Sequence, residues 1–279
     1  MNANRELILV TGGSGGLGRR VVSRLVARGL SVRVLSRRQH DSVNGVDYVV
    51  GDLETNVGVV AAAAGCTTIV HCAGVGKIKE DTAQATNLAR AARETGVRHI
   101  VSVSVVGAER VPVKSAIDRS MFAYFASQRA KELAIEASGV PWSNLRAAQF
   151  HDGFILVMVR AMAKMPVIPL PAQTRFQPID GDEVADALVD IALHEPIGQA
   201  PDMAGPKIYE AEYLVRSYLR AIGKSRPIVK FKAPGAAAAA IRGGANLSPD
   251  QAVGRRTWED FLDERFAQVS ASGISASPM

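Results

Sequence analysis

Cysteine is nearly absent: Cys66 and Cys72 are the two in 279 residues. A disulfide framework is thereby excluded, and a reducing compartment fits. Aromatic residues are 5% of the chain and histidines number five, and no metal-ligand spacing occurs, so no metal is expected. No apolar run nears the eighteen or so residues that cross a bilayer. Residues 1–6 are polar and lead directly into an apolar run, unlike a secretory leader. These absences predict a cytoplasmic protein without a membrane partner. The net charge is +6, yet no run of Lys and Arg exceeds two residues. A nucleic-acid surface is therefore not expected; the charge reads as that of a mildly basic enzyme and would suit a phosphorylated ligand.

Glycine, by contrast, is concentrated. After the apolar run 7–10, residues 12–18 read Gly-Gly-Ser-Gly-Gly-Leu-Gly, five glycines in seven positions. Val21, Val22, Leu25 and Val26 then recur at helical spacing until Gly29. Strand, glycine turn and helix form a phosphate cradle, because glycine lets the backbone approach a ligand and the helix N-terminus offers free N–H groups and partial positive charge. Gly12, Ser14, Gly15, Gly16, Leu17 and Gly18 are the expected contacts.

Strand and helix patterns alternate from there, as βαβ units require. Strands are expected at 31–36, 46–52, 67–72, 99–105 and 141–147, with helices at 57–64, 81–95 and 117–138. The second half is less regular: helices at 151–165, 182–194, 236–241 and 257–267, a short strand at 207–210 leading into a helix through Leu219, another short strand at 227–231, and a proline-rich loop at 166–171. The fold class is α/β, a doubly wound parallel sheet of Rossmann type with a small C-terminal lobe. The expected division is a dinucleotide-binding domain at 1–150, a substrate lobe at 151–269 and a flexible tail at 270–279. The helix at 117–138 offers a face on which two copies could pair as a homodimer.

A dinucleotide fold that prefers NAD usually ends its second strand on a carboxylate facing the ribose 2′-hydroxyl. Here Ser36-Arg37-Arg38 stands there. Guanidinium groups suit a 2′-phosphate through bidentate charged hydrogen bonds, so NADP is the expected cofactor. Asp52 and Leu53 close the third strand where the adenine would lie. Cys72, Ala73 and Gly74 end the fourth where the backbone would pass the cofactor. His71 and Cys72 read better as packing residues than as nucleophiles or ligands.

Thr11-Gly12-x-x-Gly15-x-x-Gly18, Gly51-Asp52-Leu53, His71-Cys72-Ala73-Gly74, the segment 87–99, Ser138-Gly139-Val140-Pro141-Trp142, Gln149-Phe150-His151 and Phe176-Gln177-Pro178-Ile179-Asp180 together resemble the short-chain dehydrogenase/reductase superfamily, in particular its atypical, NmrA-like branch. The resemblance covers most of residues 5–195. It implies a dinucleotide across the strand ends and a Tyr-x-x-x-Lys pair with a Ser or Thr as the reacting centre. In that pair the lysine holds the nicotinamide ribose and lowers the tyrosine pKa from about 10 toward working pH. Tyr124 stands at the tyrosine position and Gln128 at the lysine position, where an amide can bind a ribose hydroxyl but carries no charge. Lys131 shares the face of Tyr124 two turns away, roughly 10 Å along the axis, too far for direct contact. Ser104 is the candidate hydroxyl, although the family often places it one residue later, where Val105 stands. Phe150, His151, Phe154 and Phe176 are candidate substrate contacts.

The resemblance implies an NADP(H)-dependent oxidoreductase moving hydride to or from a small apolar carbonyl, enone or quinone. The degraded pair keeps open a non-enzymatic, redox-sensing NADP(H) binder, and more weakly a sugar-nucleotide epimerase or dehydratase.

Overall fold

The computed structural model describes residues 6–42 and 45–271, with side chains through 267. The first half runs β1 (Leu7–Thr11), α1 (Gly16–Ala27), β2 (Ser31–Ser36), β3 (Val46–Val50), α2 (Val59–Ala63), β4 (Thr68–His71), α3 (Ile78–Thr95), β5 (His99–Val105), α4 (Ala116–Glu136) and β6 (Trp142–Ala147). The second runs α5 (Leu156–Ala163), β7 (Ile168–Pro171), β8 (Arg175–Phe176), α6 (Gly181–Ala192), β9 (Gly198–Gln199), β10 (Tyr209–Glu210), α7 (Ala211–Ala221), β11 (Ile228–Phe231), α8 (Ala236–Arg242) and α9 (Trp258–Ala271).

Among the described residues one seven-stranded sheet has the order β3-β2-β1-β4-β5-β6-β9, parallel throughout. The central strand β1 reads as a continuous apolar run because helices cover both faces of the sheet: Ile8, Leu9 and Val10 are all but fully buried. The order reverses between β1 and β4, and at such a switch point the strand ends open a crevice for a ligand.

The chain returns to this sheet well beyond residue 150. β9 pairs with β6, and Val184, Leu188 and Val189 of α6 join Val21 and Leu25 of α1 in one apolar core with the sheet. Asp180 caps α6 by accepting from the Asp182 amide at 2.7 Å. Above that core, Arg20 and Arg24 of α1 and its C-cap residue Arg28 face Asp182, Asp186 and Asp190 of α6, each set recurring every fourth residue. The carboxylates are half exposed, so each pair contributes less than about 1 kcal/mol and chiefly fixes how the helices lie.

Two helices differ from the sequence pattern. α4 starts on a capping box: Ser115 Oγ accepts from the Asp118 amide and Asp118 accepts from the Ser115 amide. It then kinks at Phe122 (φ −131°, ψ 16°). The helix expected at 151–165 is a wide turn over His151–Ile155, non-helical at Gly153, followed by α5. The lobe has its own core of Ile155, Val159, Ile168, Leu214, Val215 and Trp258. Of the expected tail, 270–271 continue α9 and 272–279 lie outside the described residues. Among the described residues no helix is long and apolar enough to cross a membrane.

Candidate functional site

The glycine turn leaves no room for side chains at Gly12, Gly13 and Gly18. Gly12 has φ +70°, and a Cβ there would lie 2.7 Å from the Ala73 amide nitrogen. A Cβ on Gly18 would lie 2.1 Å from the Gly12 carbonyl oxygen, and one on Gly13 2.7 Å from Val34 Cγ1. The Gly15 amide closes the turn onto the Gly12 carbonyl at 2.9 Å. Gly15 caps α1 without a side chain, and the first turn of α1 contains no acidic residue. The N–H groups of that turn, with Ser14, Gly15 and Gly16 exposed, are thus left for an external anion. A pyrophosphate fits this cradle.

Register places the end of β2 beside the cradle. Leu35 pairs with Thr11, so Ser36 follows opposite Gly12. Ser36 Oγ accepts from the Arg38 amide at 3.1 Å and lies 3.1 Å from His40 Nε2, which folds the turn back. Arg37 and Arg38 are exposed and form no ion pair among the described residues. The Gly51 amide donates to the Ser36 carbonyl, bringing Asp52 to the same edge. One carboxylate oxygen of Asp52 accepts from the Glu54 amide at 2.7 Å. Leu53 buries its side chain among Leu35 and Val59 instead of facing the edge.

Where β1 and β4 end, Thr11 Oγ1 and His71 Nδ1 meet at 2.7 Å. Burial, and next the charge of Lys131, push His71 down to about 3, so the ring is neutral. Burial pushes the Cys72 thiol up to about 12, which removes it as a nucleophile.

The strand ends open into a cavity of about 670 Å³ roofed by the lobe. Leu17, Cys72, Ala73 and Gly74 line it on the side of the glycine turn. Ser104, Tyr124, Gln128 and Lys131 line its wall, as do Phe150, Phe154 and Phe176. His151 does not line it. Its ring is 1% exposed and stacks on Phe261 at 5.6 Å between centroids, with Trp258 at 6.2 Å. Burial pushes His151 down to about 4. The substrate contact expected at 151 is therefore a neutral core histidine, because the turn at Gly153 aims the ring into the lobe.

The wall is held by two buried carboxylates. Asp81 accepts from the Val75 and Gly76 amides, at 2.7 and 2.9 Å, and from Ser127 Oγ. It thereby ties the loop after Gly74 to α4. Glu132 accepts twice from Arg146, at 2.8 and 2.9 Å, and also from Arg129 and Asn144. Burial works against the ionised Glu132, yet the Arg146 guanidinium, and after it the neighbouring Ser104 and Arg129, lower its pKa. Tyr124 keeps 49% of its surface in solvent, yet loss of water around its hydroxyl and the Asp81 charge push it up to about 12. Lys131 is 2% exposed and donates from Nζ to the Val103 carbonyl at 2.6 Å. Burial brings it down to about 8, against the opposing pull of Asp81, Cys72 and Glu132.

The sequence matches the profile of a family described as NAD(P)H-binding over residues 12–195. The chain belongs to this NAD(P)H-binding family. It is 28% identical to a (4-alkanoyl-5-oxo-2,5-dihydrofuran-3-yl)methyl phosphate reductase of Streptomyces griseus over 278 residues, covering 98% of this chain and 90% of that enzyme. It is 31% identical to a ceramide reductase of Caulobacter vibrioides over 204 residues, covering 66% of this chain and 60% of the relative. It spans 24% of an uncharacterised Mycobacterium tuberculosis protein, at 28% identity over 232 residues. Among solved structures, an NADPH-dependent quinone oxidoreductase of Escherichia coli complexed with NADPH superposes with a TM-score of 0.75 at 15% identity, covering 93% of this chain and 99% of that one. At these identities the structural likeness speaks for the fold, and it agrees with the short-chain dehydrogenase/reductase resemblance carried by the motifs.

Within this NAD(P)H-binding frame, several cavity residues carried no sequence signal. Met121, Met158 and Met162 read as ordinary core residues, and Arg242 and Asn246 come from the least patterned segment. Asn246 is fully buried, and its Oδ1 has no partner.

Proposed function

We propose that the protein is an NADP(H)-dependent reductase of a small, largely apolar carbonyl, enone or quinone. The observation that carries this reading is continuity: Leu17, Ala73 and Gly74 belong both to the glycine cradle's surroundings and to the cavity wall. A dinucleotide seated on the cradle would thus reach a chamber lined mainly by Phe, Met, Leu and Ala. Such walls bind apolar substrates by excluding water and fix orientation through a few polar groups. The reductases among the relatives support the same reaction class.

In this reading the first turn of α1 holds the pyrophosphate, Arg37 and Arg38 the 2′-phosphate, and Asp52 the adenine edge. Gln128 donates or accepts at a ribose hydroxyl. Bound NADPH supplies hydride. Tyr124 and Ser104 present hydroxyls to the substrate side, and the loop held by Asp81 closes the chamber against water. The two free thiols suit a reducing, cytoplasmic setting.

Gln128 at the lysine position favours one alternative, a redox-sensing protein that binds NADP(H) without turnover. Titration with NADPH and NADH, followed by NADPH oxidation assays on apolar quinones, enones and ketones, separates the two. Oxidation coupled to one acceptor class is expected. Tight binding with no oxidation on any class would favour the sensor.

A further inference from the structure

Lys131 is a charged group in the cavity wall that the reductase reading above leaves without a task. It sits on α4 three residues past Gln128 and is 2% exposed. A buried ammonium is costly unless it is paired and hydrogen-bonded. Its neighbouring carboxylates are engaged elsewhere: Asp81 by two backbone amides and Ser127, and Glu132 by Arg146, Arg129 and Asn144. Among the described residues Lys131 forms no ion pair, and the Val103 carbonyl at 2.6 Å takes one of its three N–H donors. The remaining two belong to a side chain that lines the cavity beside Cys72, Val103 and Ser104. These residues are at the carboxyl ends of β4 and β5, flanking the switch-point crevice.

We propose that Lys131 supplies the cation missing at position 128, its ammonium donating to an oxygen of the molecule held in the cavity. The charge enters the crevice from a point three residues later on the same helix, over Val103 instead of beside Tyr124. Two oxygens have the right chemistry, a ribose hydroxyl of the dinucleotide and the carbonyl oxygen of the substrate. The proposal shares the cavity of the reductase reading, but its first test needs no turnover.

Lys131→Gln and Lys131→Met are compared with wild type by NADPH titration, then by reduction of an apolar naphthoquinone across pH. Loss of a charged hydrogen bond is expected to cost about 10- to 100-fold. A fall of that size in NADPH affinity assigns the ribose. Unchanged affinity with the same fall in kcat assigns the substrate oxygen.

Wild-type function should also decline as pH rises through about 8, where the ammonium is lost, and the decline should be absent in Lys131→Gln. The groups facing the ammonium are Asp81 from α3, His71 and Cys72 from the end of β4, and Glu132 from α4 itself. The double variant Gln128→Lys/Lys131→Gln returns the charge to the patterned position and should restore what Lys131→Gln loses, a rescue that a purely structural lysine would not show. Lys131→Met removes a buried unpaired charge and should melt no lower than wild type, which verifies folding. Unchanged NADPH affinity, with turnover unchanged or absent in the wild type, overturns the proposal. A lower melting temperature in Lys131→Met without any change in affinity or rate overturns it as well.

Discussion

Gly18 stands so close to Gly12 that a Cβ at 18 would lie 2.1 Å from the Gly12 carbonyl oxygen. No side-chain rotation relieves that contact, because the obstructing atom is backbone. Gly18→Ala is expected to displace the turn, to destabilise by about 1–3 kcal/mol and to abolish measurable NADPH binding. At Gly16 the nearest obstruction is the flexible end of Arg20 at 3.7 Å. Gly16→Ala should therefore change stability by less than about 0.5 kcal/mol. Thermal melting with NADPH titration of both variants checks the contrast.

In the proposed reading Arg37 and Arg38 hold the 2′-phosphate, so the choice of cofactor rests on them. An Arg37→Ala/Arg38→Ala variant should lose about 10- to 100-fold in NADPH affinity while NADH affinity stays near its wild-type value. Calorimetric titration with both dinucleotides reads this directly. An equal change for NADPH and NADH would remove the 2′-phosphate assignment.

Glu132 is the carboxylate on which Arg146 depends. Arg146 also meets Glu109 at 2.7 Å, but its two contacts to Glu132 are the buried ones. Glu132→Gln leaves a largely buried guanidinium with the partly exposed Glu109 in place of its buried partner; breaking a buried pair typically costs about 3–5 kcal/mol and should lower the melting temperature by roughly 10 °C. Loss of α4 packing would carry Tyr124, Gln128 and Lys131 with it, so activity should fall in parallel.

Acid should destabilise the fold through its buried histidines. His151 has its pKa depressed from 6.5 to about 4, so between those values the unfolded chain binds more protons than the folded one. The stabilising contribution is complete above pH 6.5 and drains away as pH falls toward about 4, at no more than about 1.4 kcal/mol per pH unit. His71 adds the same sign over 6.5 to about 3. His151→Phe should keep the stack on Trp258 and Phe261 and make the fall of melting temperature between pH 6.5 and 4 shallower. An unchanged slope would place the acid sensitivity elsewhere.

The sheet and the cradle were legible because each depends on local pattern. Short stretches rich in Val, Ile and Leu, separated by amphipathic ones, specify parallel βαβ units, and the run from Gly12 to Gly18 has few other physical uses. What was not legible depends on distant pairing. The four-residue spacing of Arg20, Arg24 and Arg28, and that of Asp182, Asp186 and Asp190, are both visible in the chain. That they face each other follows only once α6 folds back onto α1, which also carries the sheet's core past residue 150. The pattern allows His151 two readings, a substrate contact or a structural histidine at a helix start, and only the fold, which packs the ring on Trp258 and Phe261, decides for the structural one. The axial distance of Lys131 from Tyr124 measures the helix correctly but says nothing of the reach of a lysine toward Val103 on the neighbouring strand.

The central claim is hydride delivery from NADPH into the apolar chamber beneath the lobe. Its most direct test is isotope transfer: NADPH deuterated at nicotinamide C4 is incubated with the protein and an apolar ketone, enone or quinone, and the product is weighed by mass spectrometry. The reductase account predicts one deuterium carried from the cofactor by the protein, on carbon in the product from a ketone or enone, and oxidation of NADPH in step with product for a quinone. NADPH that stays bound and intact beside every acceptor, with no label transferred, would contradict it.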